Sequence, residues 1–406
     1  MKTKNSGVLM KRIVVSAFFA VLSSALIFAA PKKSTGKVEL KIWESSGSES
    51  AFIQTAIREY KKINPRVRIT YEPVENTDAR NKIELDGPAG VGADIFVAPH
   101  DHIGALIAGQ HILPVEDAEE YMKDFYPLAK KAASYDGVVY GYPLGAETYA
   151  LFYNKDILPE PFTHWDEIIK YAKNWNNKVE NRYAIAWPVN DPYYAYMFID
   201  SFGSPLFGPN GTDPKQHNLN SKGAIAGLTY MQNLRRLVLN IPAADASRDF
   251  CHASFEEGKT PMIITGSWKI NEFKKSKLNF GVTTLPSFPG QKSPGISFSG
   301  VRLAFVSSYT NYPEEAMEFA KFITSKEMLQ KRFEMTDQIP PRNDIQIENP
   351  LTQGIVNQLK YSKPMPTITQ LGTYWQIMGP AVSGIWEGDD VAKTLDIAAR
   401  QMEAVK

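Results

Sequence analysis

One cysteine in 406 residues, Cys251, leaves no means of forming an internal disulfide. Histidine is also scarce. Of the six, three form the only metal-like grouping, His100-Asp101-His102 with His111 nearby. Hydrogen-bonding residues at a strand end explain that group more simply, so no metal is expected. Charge of one sign is missing too: 45 basic residues face 44 acidic ones, and no basic excess marks a nucleic-acid partner. There is no G-x-G-x-x-G and no Walker A loop, hence no motif for a nucleotide cofactor, and no cofactor is expected. The G-x-S-x-G elbow and H-E-x-x-H are absent as well. Among 44 acidic residues, spacing alone singles out no glycosidase pair. No heptad pattern persists for several turns, so a monomer is expected.

Long apolar runs are lacking apart from one. Lys2, Lys4, Lys11 and Arg12 precede an apolar stretch from Ile13 to Ala30. A basic start followed by an apolar run ending in small residues reads as a secretory signal over residues 1–30. Its loss leaves 41 basic and 44 acidic side chains. The alternative is a retained anchor, since the run of 18 residues is near bilayer-spanning length; Ser16, Ser23 and Ser24 argue against it. No cysteine lies near the end of the run, so no lipid anchor is expected there. Together these features point to a soluble periplasmic protein.

What is present is α/β material. Val38–Trp43 alternates as a strand, and Ile53, Ala56, Ile57, Tyr60 and Ile63 recur at helical spacing up to Asn64-Pro65. Val67–Tyr71, a short helix near Asp78–Leu85 and the apolar strand Asp94–Ala98 follow, an order that predicts a mostly parallel sheet. Val138–Leu144 and Tyr149–Tyr153 read as two strands separated by Gly145. Thr163 with Asp166 resembles a capping box for the next helix. Ala184–Trp187, Pro261–Thr265, Phe280–Leu285 and Gly300–Ser307 read as strands, and helices are expected from Pro192, from Ser221 and over Pro313–Thr324. From about Pro350 the pattern is helical throughout. No long linker divides the chain, so two lobes joined by several short crossings are expected.

Polar and aromatic residues gather where predicted strands end and helices begin: Asp101 and His102, Glu147, Asp191 with Tyr193, Trp268, and Tyr374-Trp375. Open α/β sheets bind ligands at such ends. Ionised carboxylates accept hydrogen bonds from adjacent hydroxyls, and flat aromatic faces cover the C–H face of a pyranose. The combination suits a sugar, although any one of these aromatics alone is as readily a core residue.

Four segments carry a family resemblance. Tyr142–Pro159 (YPLGAETYALFYNKDILP) resembles the hinge segment of the extracellular solute-binding proteins of bacterial ABC importers. Phe255–Trp268 (FEEGKTPMIITGSW) resembles their second signature. Phe280–Pro286 (FGVTTLP) and Lys363–Thr367 (KPMPT), with Tyr374-Trp375, are similar to the maltose- and maltodextrin-binding branch. The resemblance implies a two-lobed periplasmic-binding-protein fold, with 37–145 plus about 286–335 in one lobe and about 146–285 plus 336–406 in the other. It implies a carrier, not an enzyme, that closes on maltose or maltodextrin and delivers it to the membrane permease subunits of an ABC importer. Asp101, His102, Glu147 and Asp191 would accept or donate to hydroxyls, Tyr193, Trp268 and Trp375 would stack, and Tyr374 would join them in contacting the substrate. The chain departs from the branch at Ala98-Pro-His-Asp-His102, where an aromatic and an arginine are missing, and at Trp43–Ser48, which lacks an Asp-Lys pair. Glu44 would stand in there as a hydroxyl acceptor. Another sugar or polyol, and an exported glycan-active enzyme, remain the alternatives.

Overall fold

The computed structural model describes residues 36–404, so the expected export segment 1–30 lies outside the described residues. Eleven strands run β1 (Val38–Glu44), β2 (Val67–Pro73), β3 (Ile95–Pro99), β4 (Ser134–Tyr135), β5 (Val138–Val139), β6 (Gly141–Asn154), β7 (Ile185–Ala186), β8 (Met262–Gly266), β9 (Phe280–Thr283), β10 (Ser297–Val306) and β11 (Ser362–Pro364). β4 and β5 form a small ribbon. The other nine share one hydrogen-bonded path, β2-β1-β3-β10-β6-β8-β7, with β11 beside β10 and β9 beside β6.

This sheet is mixed. β1 is parallel to β2 and β3, and β7 to β8, but β10 runs antiparallel to β3 and β6, and β6 to β8 and β9. The expected mostly parallel sheet is therefore only its outer part. The β-α-β repeats dictate parallel pairing locally; the long returns that insert β6 and β10 do not.

Two apolar cores flank this path. The first gathers Val38–Leu144, Val301–Leu329 and Ile345, including Trp43, Phe52, Phe96 and Phe305. The second runs from Ala146 onward and includes Trp165, Trp187, Trp386, Phe288 and Phe298. β6 leaves the first core at Leu144 and enters the second at Ala146; β10 passes the other way between Phe298 and Val301. A third passage runs between Leu329 of the first core and Ile339 of the second, where Ala146 N donates to Ile339 O at 2.8 Å; the chain touches the first core again at Ile345 and is in the second from Ile355. Leu285, Phe288 and Phe298 lie in the second core and Val301 in the first.

Local chemistry explains most elements. Helix Ser48–Ile63 buries Phe52, Ile53, Ala56 and Tyr60 on one stripe, and Pro65 bars its continuation. Ser221 accepts from Ala224 N and starts helix Lys222–Leu237 as expected. The capping box before Trp165 lies one residue further on than expected: His164 is the cap, with Glu167 reaching back to it. β6 is one strand and not two. Gly145 pairs with Arg302 and Pro143 with Leu303, so Leu144 forms a bulge that bends the strand without breaking it. Within the helical C-terminal region, Ser362–Pro364 departs from expectation by pairing with β10. Helix Lys326–Thr336, not anticipated from sequence, carries Arg332, whose side chain matters below. Among the described residues no helix is long and apolar enough to cross a membrane.

Candidate functional site

A cavity of about 590 Å³ lies where the two cores meet. Seven of the nine sequence-selected residues line it: Asp101, His102, Glu147, Asp191, Tyr193, Trp268 and Trp375. They reach it from separate elements. Asp101 and His102 sit in the 3-10 turn His100–His102 immediately after β3. Glu147 stands on β6 opposite Gly300, where a Cβ would come within 3.1 Å of Met365 Cε and rest against the Glu147 stem. Asp191 caps helix Pro192–Asp200, its Oδ1 accepting from Tyr193 N at 2.9 Å, and so aims Tyr193. Trp268 follows β8 in the turn Ser267–Lys269, and Trp375 comes from helix Gln370–Glu387.

The aromatic side is held from behind. Tyr193 packs on Tyr149 (4.9 Å between ring centres, edge-on), Phe298 (6.1 Å) and Trp268 (6.3 Å). Phe298 in turn meets Trp375 edge-on at 5.9 Å. Burial of Tyr149 and Phe298 fixes these rings, so Tyr193, Trp268 and Trp375 present half-buried faces to the cavity in set orientations.

The opposite side is polar and buried. Asp101 Oδ2 accepts a long hydrogen bond from Trp375 Nε1 at 3.4 Å, while its Oδ1 and His102 Nδ1 are buried without a partner. Leaving such atoms unsatisfied costs about 1–3 kcal/mol each, which a ligand's hydroxyls would recover. Burial holds the His100 and His102 pKa values below the ordinary imidazole value, despite Asp101 beside them. His100 Nδ1 accepts from Val301 N at 3.2 Å and Nε2 meets Met365 O at 3.0 Å. It is thus a neutral ring tying β3, β10 and the Met365 segment together.

Two sequence-selected residues do not reach the cavity. Glu44 is fully buried at the end of β1, Oε1 accepting from Ser45 N at 2.8 Å and Oε2 from Arg332 Nη1 at 3.1 Å. Burial raises its pKa, opposed by Arg332. Both its oxygens accept from the protein, and it lies outside the residues that line the cavity. Tyr374 is likewise buried, its hydroxyl donating to Pro192 O at 3.2 Å and its ring lying edge-on under Trp375 at 4.9 Å. It supports the wall without forming its surface.

Sequence reasoning missed Glu49 and gave Arg302 no part in binding a sugar. Arg302 lines the cavity and donates through Nε to Glu147 Oε2 at 2.8 Å and through Nη1 to Glu49 Oε1 at 3.0 Å. Burial would raise the Glu49 pKa, but Arg302 and Arg332 together hold it below the usual carboxylate value. The available signals were an acidic residue in the first turn of a helix that follows a strand, and one arginine inside a strand with no other charged residue. At the rim, exposed Arg248 donates to Asp191 Oδ2 at 2.5 Å. Each cleft-facing arginine is therefore neutralised by at least one carboxylate, and among the described residues the cavity offers no free cation to an anionic ligand.

A two-core α/β protein with crossing strands and an aromatic-and-carboxylate cleft between the cores belongs to the class that binds small solutes by closing around them. The sequence pattern of the bacterial extracellular solute-binding proteins matches residues 55–354. The chain belongs to this family. A cyclo/maltodextrin-binding protein whose crystal structure holds maltotetraose is 31% identical, with a TM-score of 0.77 over 91% of this chain and 98% of that one. A maltooligosaccharide ABC transporter solute-binding lipoprotein of Streptococcus pneumoniae is 26% identical over 90% of this chain and 91% of its own length. A galactooligosaccharide-binding protein of Bacillus subtilis is 26% identical over 96% of each chain.

Proposed function

We propose that this protein binds maltose or maltodextrins in the cleft between its two cores and delivers them to the membrane subunits of an ABC importer. The observation that carries this reading is the facing of Tyr193, Trp268 and Trp375 against Asp101 and Glu147 across one cavity of about 590 Å³. Stacking rings take the apolar faces of successive glucose units, and the carboxylates take their hydroxyls. The relatives named for maltotetraose and maltooligosaccharide support the choice of sugar. In this reading, lobes of residues 37–145 plus about 300–335 and of about 146–299 plus 336–406 close about the three crossings, and the sugar drives closure through its higher affinity for the closed form.

The protein acts as a carrier and not as a glycosidase. The family and the relatives named above are solute-binding proteins, which supports the carrier reading. Export by residues 1–30 delivers the protein to the periplasm. It is not lipid-anchored in this reading, unlike the pneumococcal relatives named lipoproteins: Cys251, the only cysteine, is buried in the second core.

Calorimetric titration against maltose, maltotriose and a galactooligosaccharide tests the proposal. Micromolar or tighter binding of maltotriose is expected. Selective binding of the galactooligosaccharide would support the second reading, which the Bacillus subtilis relative favours. Absence of binding to every sugar, with the protein folded, would overturn both.

A further inference from the structure

We propose that Arg302 and Gln338 are positioning residues that hold the Glu147 carboxylate for the ligand and tie it to the hinge; this rests on the sugar-binding reading of the cleft. The basis is a continuous chain of buried hydrogen bonds. Glu147 Oε2 accepts from Arg302 Nε at 2.8 Å, and Arg302 Nη1 donates to Glu49 Oε1 at 3.0 Å. The same Glu49 oxygen accepts from Gln338 Nε2 at 2.7 Å. Gln338 Oε1 accepts from Arg332 Nε at 3.1 Å and Nη2 at 2.9 Å, and Arg332 Nη1 reaches Glu44 at 3.1 Å.

The placement of the members gives the chain its meaning. Glu147, Arg302 and Gln338 lie one on each of three passages between the cores: β6, β10 and residues 336–339. Glu49, Arg332 and Glu44 anchor them to the first core. All but Glu147 are at least nine-tenths buried, and Glu147 meets the cavity. Buried charges tolerate few arrangements, because a partner pulled away leaves an uncompensated ion. A change in the relative direction of the three passages must therefore carry the chain with it or break it. A sugar hydroxyl donating to Glu147 biases the same set of bonds from the cavity end. The bulge at Leu144, opposite the step from Arg302 to Leu303, puts a compliant point of β6 directly beside the relay.

Gln338 provides the test, since it is buried and does not line the cavity. In Gln338→Met, Glu49 keeps Arg302 and Arg332 keeps Glu44, so every buried ion retains a partner. Affinity for maltotriose is measured by calorimetry in wild type, Gln338→Met, Glu147→Gln and the double variant, with thermal melting to confirm folding. The relay predicts that Gln338→Met weakens binding roughly tenfold alone, the size of a typical coupling, and adds little once Glu147 is already changed. Should Gln338→Met fail to fold, Arg302→Lys, which keeps the charge but cannot bridge both glutamates, is read in the same cycle. Unchanged affinity, or an equal loss in both backgrounds, would overturn the relay while leaving the cleft intact. A wild-type protein that binds no sugar would overturn the cleft reading and the relay with it.

Discussion

The two cores meet the cavity with different chemistry. The first contributes directional groups: Glu49 and the Arg302 guanidinium, hydrogen-bonded to each other, and Asp101 and His102, each with a buried polar atom that has no protein partner. The second contributes surfaces, Tyr193, Trp268 and Trp375, fixed by packing on Tyr149 and Phe298. Such a division lets one wall read hydroxyl positions while the other supplies contact area that tolerates small shifts in the sugar. The walls should therefore fail in different ways: damage to the polar side should unfold or loosen the protein, and damage to the aromatic side should mainly cost affinity.

The largest expected effect falls on the polar side. Glu44→Ala strands Arg332, which is 1% exposed, and should destabilise the protein by about 3–5 kcal/mol in urea unfolding. A loss under about 1 kcal/mol would mean that this wall is not held by its ions. Acid comes next. His100, His102 and His252 have pKa values depressed by burial, His252 to about 3. The unfolded chain protonates near 6.5 while the native rings stay neutral. Their contribution is therefore complete above that pH and declines as pH falls toward the native values. Stability should drop by roughly 1–3 kcal/mol from pH 6 to pH 5, and a flat profile over that interval would count against neutral buried rings.

On the aromatic side, Trp375→Ala should weaken maltotriose binding by about 2 kcal/mol, near thirtyfold, by calorimetry. Its melting temperature should stay close to wild type, and a large melting shift would erase the contrast between the walls. Gly104→Ala probes the seam between them. A methyl there would lie 2.3 Å from Thr367 O, so affinity should fall by about 1 kcal/mol if that approach forms on binding. The smallest effect is expected for Tyr374→Phe, which removes one hydroxyl from Pro192 O. It should cost about 1 kcal/mol of stability or less and leave sugar affinity unchanged.

Adjacent residues show how far the sequence could be read. Tyr374 and Trp375 were inseparable as candidates, yet successive helical residues point about 100° apart, so only one could face the cavity. Glu44 and Glu49 flank the same strand-to-helix turn. Glu44, the last residue of β1, turns inward onto Arg332, a residue 288 positions away on a helix that periodicity did not reveal. Glu49 faces the cavity from the first turn of the helix. Gly145 looked like a break because glycine weakens strands; pairing with Arg302 and the bulge at Leu144 absorb it.

By itself the sequence determined most of the order of strands and helices, the two-lobed class and seven of the residues that line the cleft, because periodicity, caps and strand-end chemistry act over a few neighbouring residues. The tertiary structure alone decided which glutamate reaches the cavity, how β6 and β10 join the two cores, and that Arg302 is committed to two carboxylates. These outcomes depend on contacts between residues more than a hundred positions apart, such as Arg302 with Glu147 and Glu49, and no local pattern encodes them.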